Sequence, residues 1–293
     1  MHAIDNKKLL EQVRKIKIIS KKLVSSHTSG DYASAFKGSG FEFDQLREYH
    51  FGDDVRFVNW NSSAKHDKLM IKDFVPERDR TLILAVDCSG SSAYSSKIEL
   101  KRDLIFSTAS ALAFIANESN DRVGMLLFSD KVKKWLVPEK NKFVVTKIVD
   151  ELSQEILKGG KTNFVEALRF LANAKLSNCV LFIISDWISE HECLKRELKV
   201  IGKKHEAVAV RIIDKLEESL PNVGLLELED PETGHRVIID TKNDKLRNLI
   251  NLRLKAQNRM FESCGLDLLD LRVGDRIEKQ LASFFKYRTR RLK

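Results

Sequence analysis

The chain has 293 residues, 43% of them apolar and 32% charged, with only four prolines and 13 glycines. That is enough for one large domain or two ordinary ones with a sizeable core, and it excludes a largely disordered chain. The net charge of +9 raises nucleic acid as a partner, and no apolar run reaches the roughly 18 residues of a membrane span.

Charges at Asp5, Lys7 and Lys8 fall where a signal peptide needs its apolar core. Cys88, Cys179, Cys193 and Cys264 show no paired spacing. Reduced thiols in a cytoplasm are the expectation.

Residues 5 to about 24 carry Leu9, Leu10, Val13, Ile16, Ile19 and Leu23 on one helical face with lysines opposite. The plain reading is a helix docked on its own protein; a basic amphipathic helix can also lie on an anionic membrane. Gly30 and its polar neighbours break the pattern. At the other end Lys286, Arg288, Arg290, Arg291 and Lys293 form a second basic cluster. Neither cluster comes with interleaved aromatics or a helix-turn-helix pattern, so both read as solvated faces rather than specific nucleic-acid readers.

Residues 37 to 79 interleave acids, bases and aromatics without a sustained period. Gly52-Asp53-Asp54 reads as a turn and Leu69 to Val75 as a short strand. Asp44, Glu48, Asp53 and Asp54 include possible acid/base pairs. With no nucleophile beside a base, the favoured reading is a small module held by Arg–carboxylate bridges around buried Trp60, Tyr49 and Phe41, restraining the face described next.

From Thr81 the chain alternates strand and helix. Thr81 to Asp87 is a strand apolar enough to be buried on both faces. Helix follows at Lys97–Glu118, strand at Val123–Phe128, and an antiparallel strand at Val132–Val137 after a loop too short for a crossover. Helices at Phe143–Leu157 and Asn163–Ala174 precede the buried strand Val180–Ser185. Then come a helix at Glu192–Lys204, a strand at Ala207–Ile213, and a hairpin through Leu225–Glu229 and Arg236–Asp240. A helix at Leu246–Cys264, a strand at Leu266–Val273 and a helix at Ile277–Tyr287 close the chain. Such alternation makes an α/β fold with a mainly parallel sheet covered on both faces.

The chemistry gathers at strand ends. Asp87-Cys-Ser89-Gly90-Ser91 leaves a buried strand as a carboxylate and two hydroxyls, where open α/β sheets place their ligands. Hard oxygens suit Mg²⁺ rather than zinc. Gly159-Gly160-Lys161-Thr162-Asn163 presents another hydroxyl, and Asp186 ends Val180–Ser185 on the same rim. Thr162, Asn163 and Asp186 taken singly are a turn or cap residue each.

Together these residues resemble the metal-ion-dependent adhesion site (MIDAS) of von Willebrand factor type A (VWA) domains, over about residues 79–293. The resemblance implies a Rossmann-like sheet of six strands with one antiparallel edge. It also implies Mg²⁺ (or Mn²⁺ or Ca²⁺) held by Asp87, Ser89, Ser91, Thr162 and Asp186, with one position open for a partner's carboxylate. Gly90, Gly160 and Asn163 are grouped with them as binding positions.

The whole chain is also similar to a bacterial family catalogued as domain of unknown function 58 (DUF58). The carrying residues are Gly40, Glu42-Phe43, Leu46-Arg47, Tyr49, Gly52-Asp53-Asp54, Arg56, Trp60, Ser63-Ala64, Glu77-Arg78, Leu225–Leu228 and Glu229–Gly234. Asn59 and Lys65 depart from the usual Asp and Arg. The resemblance implies a partnership with MoxR-type AAA+ ATPases, and no phosphate loop for ATP hydrolysis is present in this chain.

The expected architecture is residues 1–78 as an N-terminal helix plus β-rich module and 79–293 as the VWA-like domain with a hairpin insertion at about 215–241. The leading function is a non-enzymatic adaptor that captures a carboxylate of the ATPase or its client. The alternatives are a metal-dependent phosphatase or hydrolase using Asp87 or Cys88, and nucleic-acid or peripheral membrane binding through the basic termini.

Overall fold

The computed structural model describes residues 28–36, 41–66, 68–76, 80–90, 101–155, 162–176, 179–188, 192–218, 221–229 and 236–291. The helix expected at 5–24, Ser91, Gly160 and most of the Glu229–Gly234 turn lie outside them. Two compact units form, one of Met1–Phe36 with Thr81–Lys293 and one of Lys37–Arg80. The expected boundary at 78/79 kept everything before it in one module; in the structure residues 28–36 group with the larger unit.

Helix α1 (Thr28–Ala35) runs through Gly30, where a break was expected. Tertiary burial overrides the weak local propensity: Tyr32, Ala35 and Phe36 are fully buried. The Tyr32 hydroxyl donates to Asp121 Oδ2 at 3.0 Å.

In the smaller unit β1 (Phe41–Glu48) pairs antiparallel with β2 (Met70–Pro76), and α2 (Trp60–His66) lies between them in sequence. A bulge between Phe43 and Gln45 shifts the register, so the period-2 signal changes phase inside the strand and β1 goes unread in the sequence. Gly52 takes the turn at φ +107°, a conformation that favours glycine. The expected bridges form: Arg47 grips Asp53 at 2.6 and 2.9 Å, and Arg56 and Lys68 hold Asp54 and Glu48. The expected burial of Trp60 is corrected, for it is 69% exposed. Among the unit's described side chains only Ile71 is buried, because so short a piece of chain encloses little volume.

The larger unit is an α/β fold built on one six-stranded sheet. Its strands are β3 (Thr81–Asp87), β4 (Arg122–Phe128), β5 (Val132–Glu139), β6 (Val180–Ser185), β7 (Glu206–Ile213) and, after the hairpin β8 (Leu225–Glu229) and β9 (Arg236–Asp240), β10 (Asp267–Arg272). The order is β10-β7-β6-β3-β4-β5, parallel except for β5, which pairs antiparallel with β4 at the edge. The hairpin forms a separate two-stranded sheet in matched register.

The helices are α3 (Lys101–Glu118), α4 (Val144–Glu155), α5 (Phe164–Asn173), α6 (Lys195–Lys204), the short α7 (Lys215–Glu218), α8 (Asp244–Ser263) and α9 (Ile277–Arg291). Alternate residues of β3 sort the core into two layers. Leu82, Leu84 and Val86 pack with Leu112 of α3, Ile148 of α4 and Phe285 of α9. Ile83 and Ala85 pack with Leu168 of α5, Leu198 of α6 and Phe261 of α8. Burial on both faces is why β3 and β6 read as unbroken apolar runs. Among the described residues no helix is long and apolar enough to cross a membrane.

Candidate metal centre

From β3 the chain steps to β4 on one side, and from β6 it steps to β7 on the other. The gap between the carboxyl ends of β3 and β6 is therefore the switch point of the sheet, where two neighbouring loops diverge and leave a crevice. Asp87 ends β3, and Asp186 directly follows β6.

Asp87 is buried. Its Oδ2 accepts from the Ser185 hydroxyl at 2.7 Å and its Oδ1 from the Ser89 backbone N–H at 2.9 Å. Burial and then the charge of Asp186 push its acid constant up from the usual 3.8 to about 7, with the serine hydrogen bonds pulling the other way. Asp186, also buried, accepts from the Ile188 N–H at 3.2 Å.

Trp187, the residue after Asp186, is held in an unusual backbone conformation. Its φ of +57° lies in the left-handed region, uncommon for a large side chain. Four contacts hold it there. The Ser185 hydroxyl accepts from its N–H at 3.0 Å, Gln257 Nε2 donates to its carbonyl at 2.9 Å, its indole N–H donates to Val210 O at 3.1 Å, and its ring stacks on Phe164 at 5.1 Å. Backbone strain kept in place by this many partners is a common companion of functional positions.

A second strand-end pair completes the rim. Lys101, at the start of α3, is buried, and its Nζ lies 3.3 Å from Asp186 Oδ2 and in direct contact with Glu217 Oε1. Burial alone would lower the pKa of this ammonium, but the two carboxylates outweigh it and raise the pKa above its ordinary value. Glu217 is held by a capping box: Asp214 accepts from Leu216 N–H at 2.9 Å, and Glu217 Oε2 accepts from Asp214 N–H at 3.1 Å. The Asp-x-x-Glu spacing of that box is visible in the sequence. The burial of Lys101 is not, since nothing local distinguishes it from its neighbour Arg102.

Of the expected site residues, the structure brings Asp87, Ser89 and Asp186 together. Gly90 is half-buried in the turn beyond Ser89. Asn163 caps α5 through the Glu166 N–H, and its own N–H donates to Ser129 O at 2.7 Å. Because Ser129 follows β4 and Cys88 N–H donates to Phe128 O, the Thr162-Asn163 segment is tied to the rim beside β3. Ser91 and Gly160 are outside the described residues.

The donor set suits a hard cation. Asp87 is a buried carboxylate facing a second carboxylate, and its hydrogen bonds come from neutral donors, whereas Asp186 has Lys101. A divalent ion among such oxygens would relieve that imbalance. Among the described residues no three His, Cys, Asp or Glu side chains cluster for metal binding; a further hard oxygen beside Asp87 is the Ser89 hydroxyl.

Other candidate chemistry is less well placed. Cys88 is buried in the layer facing α3, burial pushes its thiol well up, and Sγ turns to its own strand's Val86 O at 3.9 Å. A buried thiol held in its protonated form is a poor nucleophile. Cys179 Sγ lies 3.3 Å from His205 Nδ1, but both are buried, and burial pushes the thiol up to about 12. In the carboxyl-terminal basic cluster, Arg288 and Arg291 are committed to internal ion pairs: Arg288 with Glu206 and Asp267, Arg291 with Asp267. A hollow of about 520 Å³ bordered by Leu268, Tyr287 and Arg291 sits at the opposite, amino-terminal end of β10 and takes no part in the rim.

Comparison with known proteins follows the same lines. The family described as "protein of unknown function DUF58" matches residues 45–260. Uncharacterized protein Rv1480 of Mycobacterium tuberculosis is 26% identical over 278 residues, 92% of this chain and 86% of that protein. Uncharacterized protein YeaD of Bacillus subtilis is 30% identical over 80 residues, 26% of this chain and 20% of that protein. Among solved structures, the conserved hypothetical protein BatB from Bacteroides thetaiotaomicron covers 72% of this chain and 99% of its own at 12% identity, TM-score 0.45. A von Willebrand factor type A protein from Catenulispora acidiphila covers 72% and 43% at 10% identity, TM-score 0.43. At such similarity the fold assignment rests on the strand order itself.

Proposed function

The chain belongs to the DUF58 family, and from that membership and the charge balance of the rim we propose that it is a protein-interaction module whose switch point holds a divalent cation. Asp87, Ser89, Ser91, Thr162 and Asp186 would hold Mg²⁺, or Mn²⁺ or Ca²⁺ in its place. The ion supplies an electrophilic position left open for a carboxylate oxygen from a partner. The observation that carries this reading is Asp87, buried beside the charge of Asp186 and hydrogen-bonded, among the described residues, by neutral donors.

The chain's own groups prepare that capture. Ser185 and the Ser89 N–H orient the Asp87 carboxylate, Trp187 fixes the turn carrying Asp186, and Asn163 ties the Thr162 loop to the end of β4. A non-enzymatic role fits the buried Cys88 and the Ser at position 89, where aspartyl phosphotransferases usually carry a second acid. The partner proposed is a MoxR-type AAA+ ATPase or its client, met in the cytoplasm. The test is co-purification from native cells with Mg²⁺ or with chelator. Wild type should retain its partner only with Mg²⁺, and Asp87→Ala should lose it while keeping the wild-type circular dichroism spectrum. Equal, metal-independent retention by Asp87→Ala would sink the reading.

A further inference from the structure

The cation already present on this rim is a lysine. Lys101 is 3% exposed, and lysines are almost never buried this deeply unless paired. Its two partners stand on different segments: Asp186 in the turn after β6 and Glu217 in the short helix α7 after β7. Glu217 is not free to drift, because the capping box occupies its other oxygen. Lys101 is thus anchored from one side and reaches Asp186 from the other.

We propose that Lys101 is a resident counter-cation that competes with the divalent ion for Asp186, with Glu217 setting how strongly it competes. This rests on the metal-site reading above and extends it to the control of that site. A divalent ion that draws on Asp186 must share the carboxylate with an ammonium a few ångströms away. Like charges at that separation repel strongly where water is scarce. Glu217 moderates the competition by giving the ammonium a second carboxylate on which to remain when Asp186 turns to the metal. Lys101 therefore keeps Asp186 neutralised in the metal-free protein and makes metal uptake weak and reversible.

The two partners of the lysine give the proposal opposite signs. Removing the ammonium should tighten metal binding. Removing the Glu217 charge should weaken it, because Lys101 then leans more heavily on Asp186. A general loss of negative charge at Glu217 would weaken binding with or without the lysine, so the coupling between the two positions decides the matter.

The experiment is calorimetric titration of the full chain with MgCl2 alone, repeated with MnCl2. Lys101→Met should bind at least tenfold more tightly than wild type, and Glu217→Gln at least threefold more weakly. Lys101→Met with Glu217→Gln should bind within twofold of Lys101→Met. Lys101→Arg, which retains the charge, should stay within about threefold of wild type. Lys101→Gln replaces Lys101→Met if the latter does not give the wild-type circular dichroism spectrum. Unchanged or weaker binding in Lys101→Met, or an equal effect of Glu217→Gln in both backgrounds, overturns the proposal while leaving the metal site standing. If neither wild type nor Lys101→Met binds either ion, the metal-site reading falls and this proposal with it. Binding by Lys101→Met alone supports both.

Discussion

Each end of the central sheet buries a cation, and the two are treated differently. At the amino-terminal end, Arg288 donates through Nε to Ala35 O at 2.9 Å, through one terminal nitrogen to Asp267 and through the other to Glu206. Its guanidinium also lies 4.3 Å over the Phe36 ring. Every face of that side chain is used, and the acids it meets on β7 and β10 each receive a charge-assisted bond. At the carboxyl-terminal end, Lys101 serves Asp186 and Glu217, while the described donors to Asp87 are neutral: the Ser185 hydroxyl and the Ser89 backbone N–H and hydroxyl. A closed network of buried charge fixes one arrangement of chain, whereas an open one leaves room for an arriving ion or group. The contrast separates a fastening from a site.

The largest expected effect tests the closed end. Arg288→Ala removes a charged partner from Glu206 and one of two from Asp267, which keeps Arg291, and it takes a cation from an aromatic face and a donor from the carbonyl of Ala35. Breaking a buried pair by removing one member typically costs about 3–5 kcal/mol. The partial exposure of Glu206 and Asp267 places this case near the lower figure. Urea unfolding at neutral pH measures it. Arg288→Lys should recover less than half, since an ammonium cannot make the fork of three separate bonds. A loss below about 1 kcal/mol would mean that the network is ornamental and the contrast between the ends unsound.

The open end carries the reverse sign. Asp87 has an acid constant near 7 in the folded chain against the ordinary 3.8. Below pH 4 both states hold the proton, and Asp87 contributes no pH dependence. Between about pH 4 and 7 the unfolded chain releases the proton while the folded chain keeps it, so this group lowers stability as pH rises. Above 7 the penalty is complete, at most about 4 kcal/mol. In chelator, Asp87→Asn should therefore be no more stable than wild type at pH 4 and clearly more stable at pH 8. Mg²⁺ at a hundredfold excess over its dissociation constant should return about 2.7 kcal/mol to wild type and none to the variant. A pH-independent difference between the two proteins would remove the idea that Asp87 is an uncompensated charge.

How far each end could be read from the sequence follows from how local its signals are. The bounds of β6 were legible because both faces of Val180–Ser185 are buried and the apolar run stops at the rim. The antiparallel β5 was legible because three residues cannot make a crossover. Asp87 and Asp186 were legible because each lies where such a run ends. Lys101, Arg288 and α1 were not, because what defines them is a partner far along the chain: Asp186 and Glu217, Glu206 and Asp267, Phe285 and Asp121. In the smaller unit the bridges Arg47–Asp53 and Arg56–Asp54 span six residues and two, short enough to infer from composition. The exposure of Trp60 depended on how little the unit encloses and could not be inferred that way.

The smallest expected effect lies between the two ends, in the hydrogen bonds that join core to rim. Gln257, on α8, donates to the Trp187 carbonyl and accepts from Arg211 Nη1 at 2.7 Å. Arg211 keeps its pair with Asp270 whatever happens at Gln257. Gln257→Leu fills much the same space but removes the bond to the strained residue next to Asp186. Losing the buried hydrogen bonds to the Trp187 carbonyl and from Arg211 Nη1 should cost about 2 kcal/mol in urea unfolding. If the left-handed turn at Trp187 exists to aim Asp186, the same variant should also weaken Mg²⁺ binding several-fold in calorimetric titration. A stability loss with unaltered metal affinity would assign the strained turn to the core rather than to the site, and would move the boundary of the open end one residue back, to Asp186 itself.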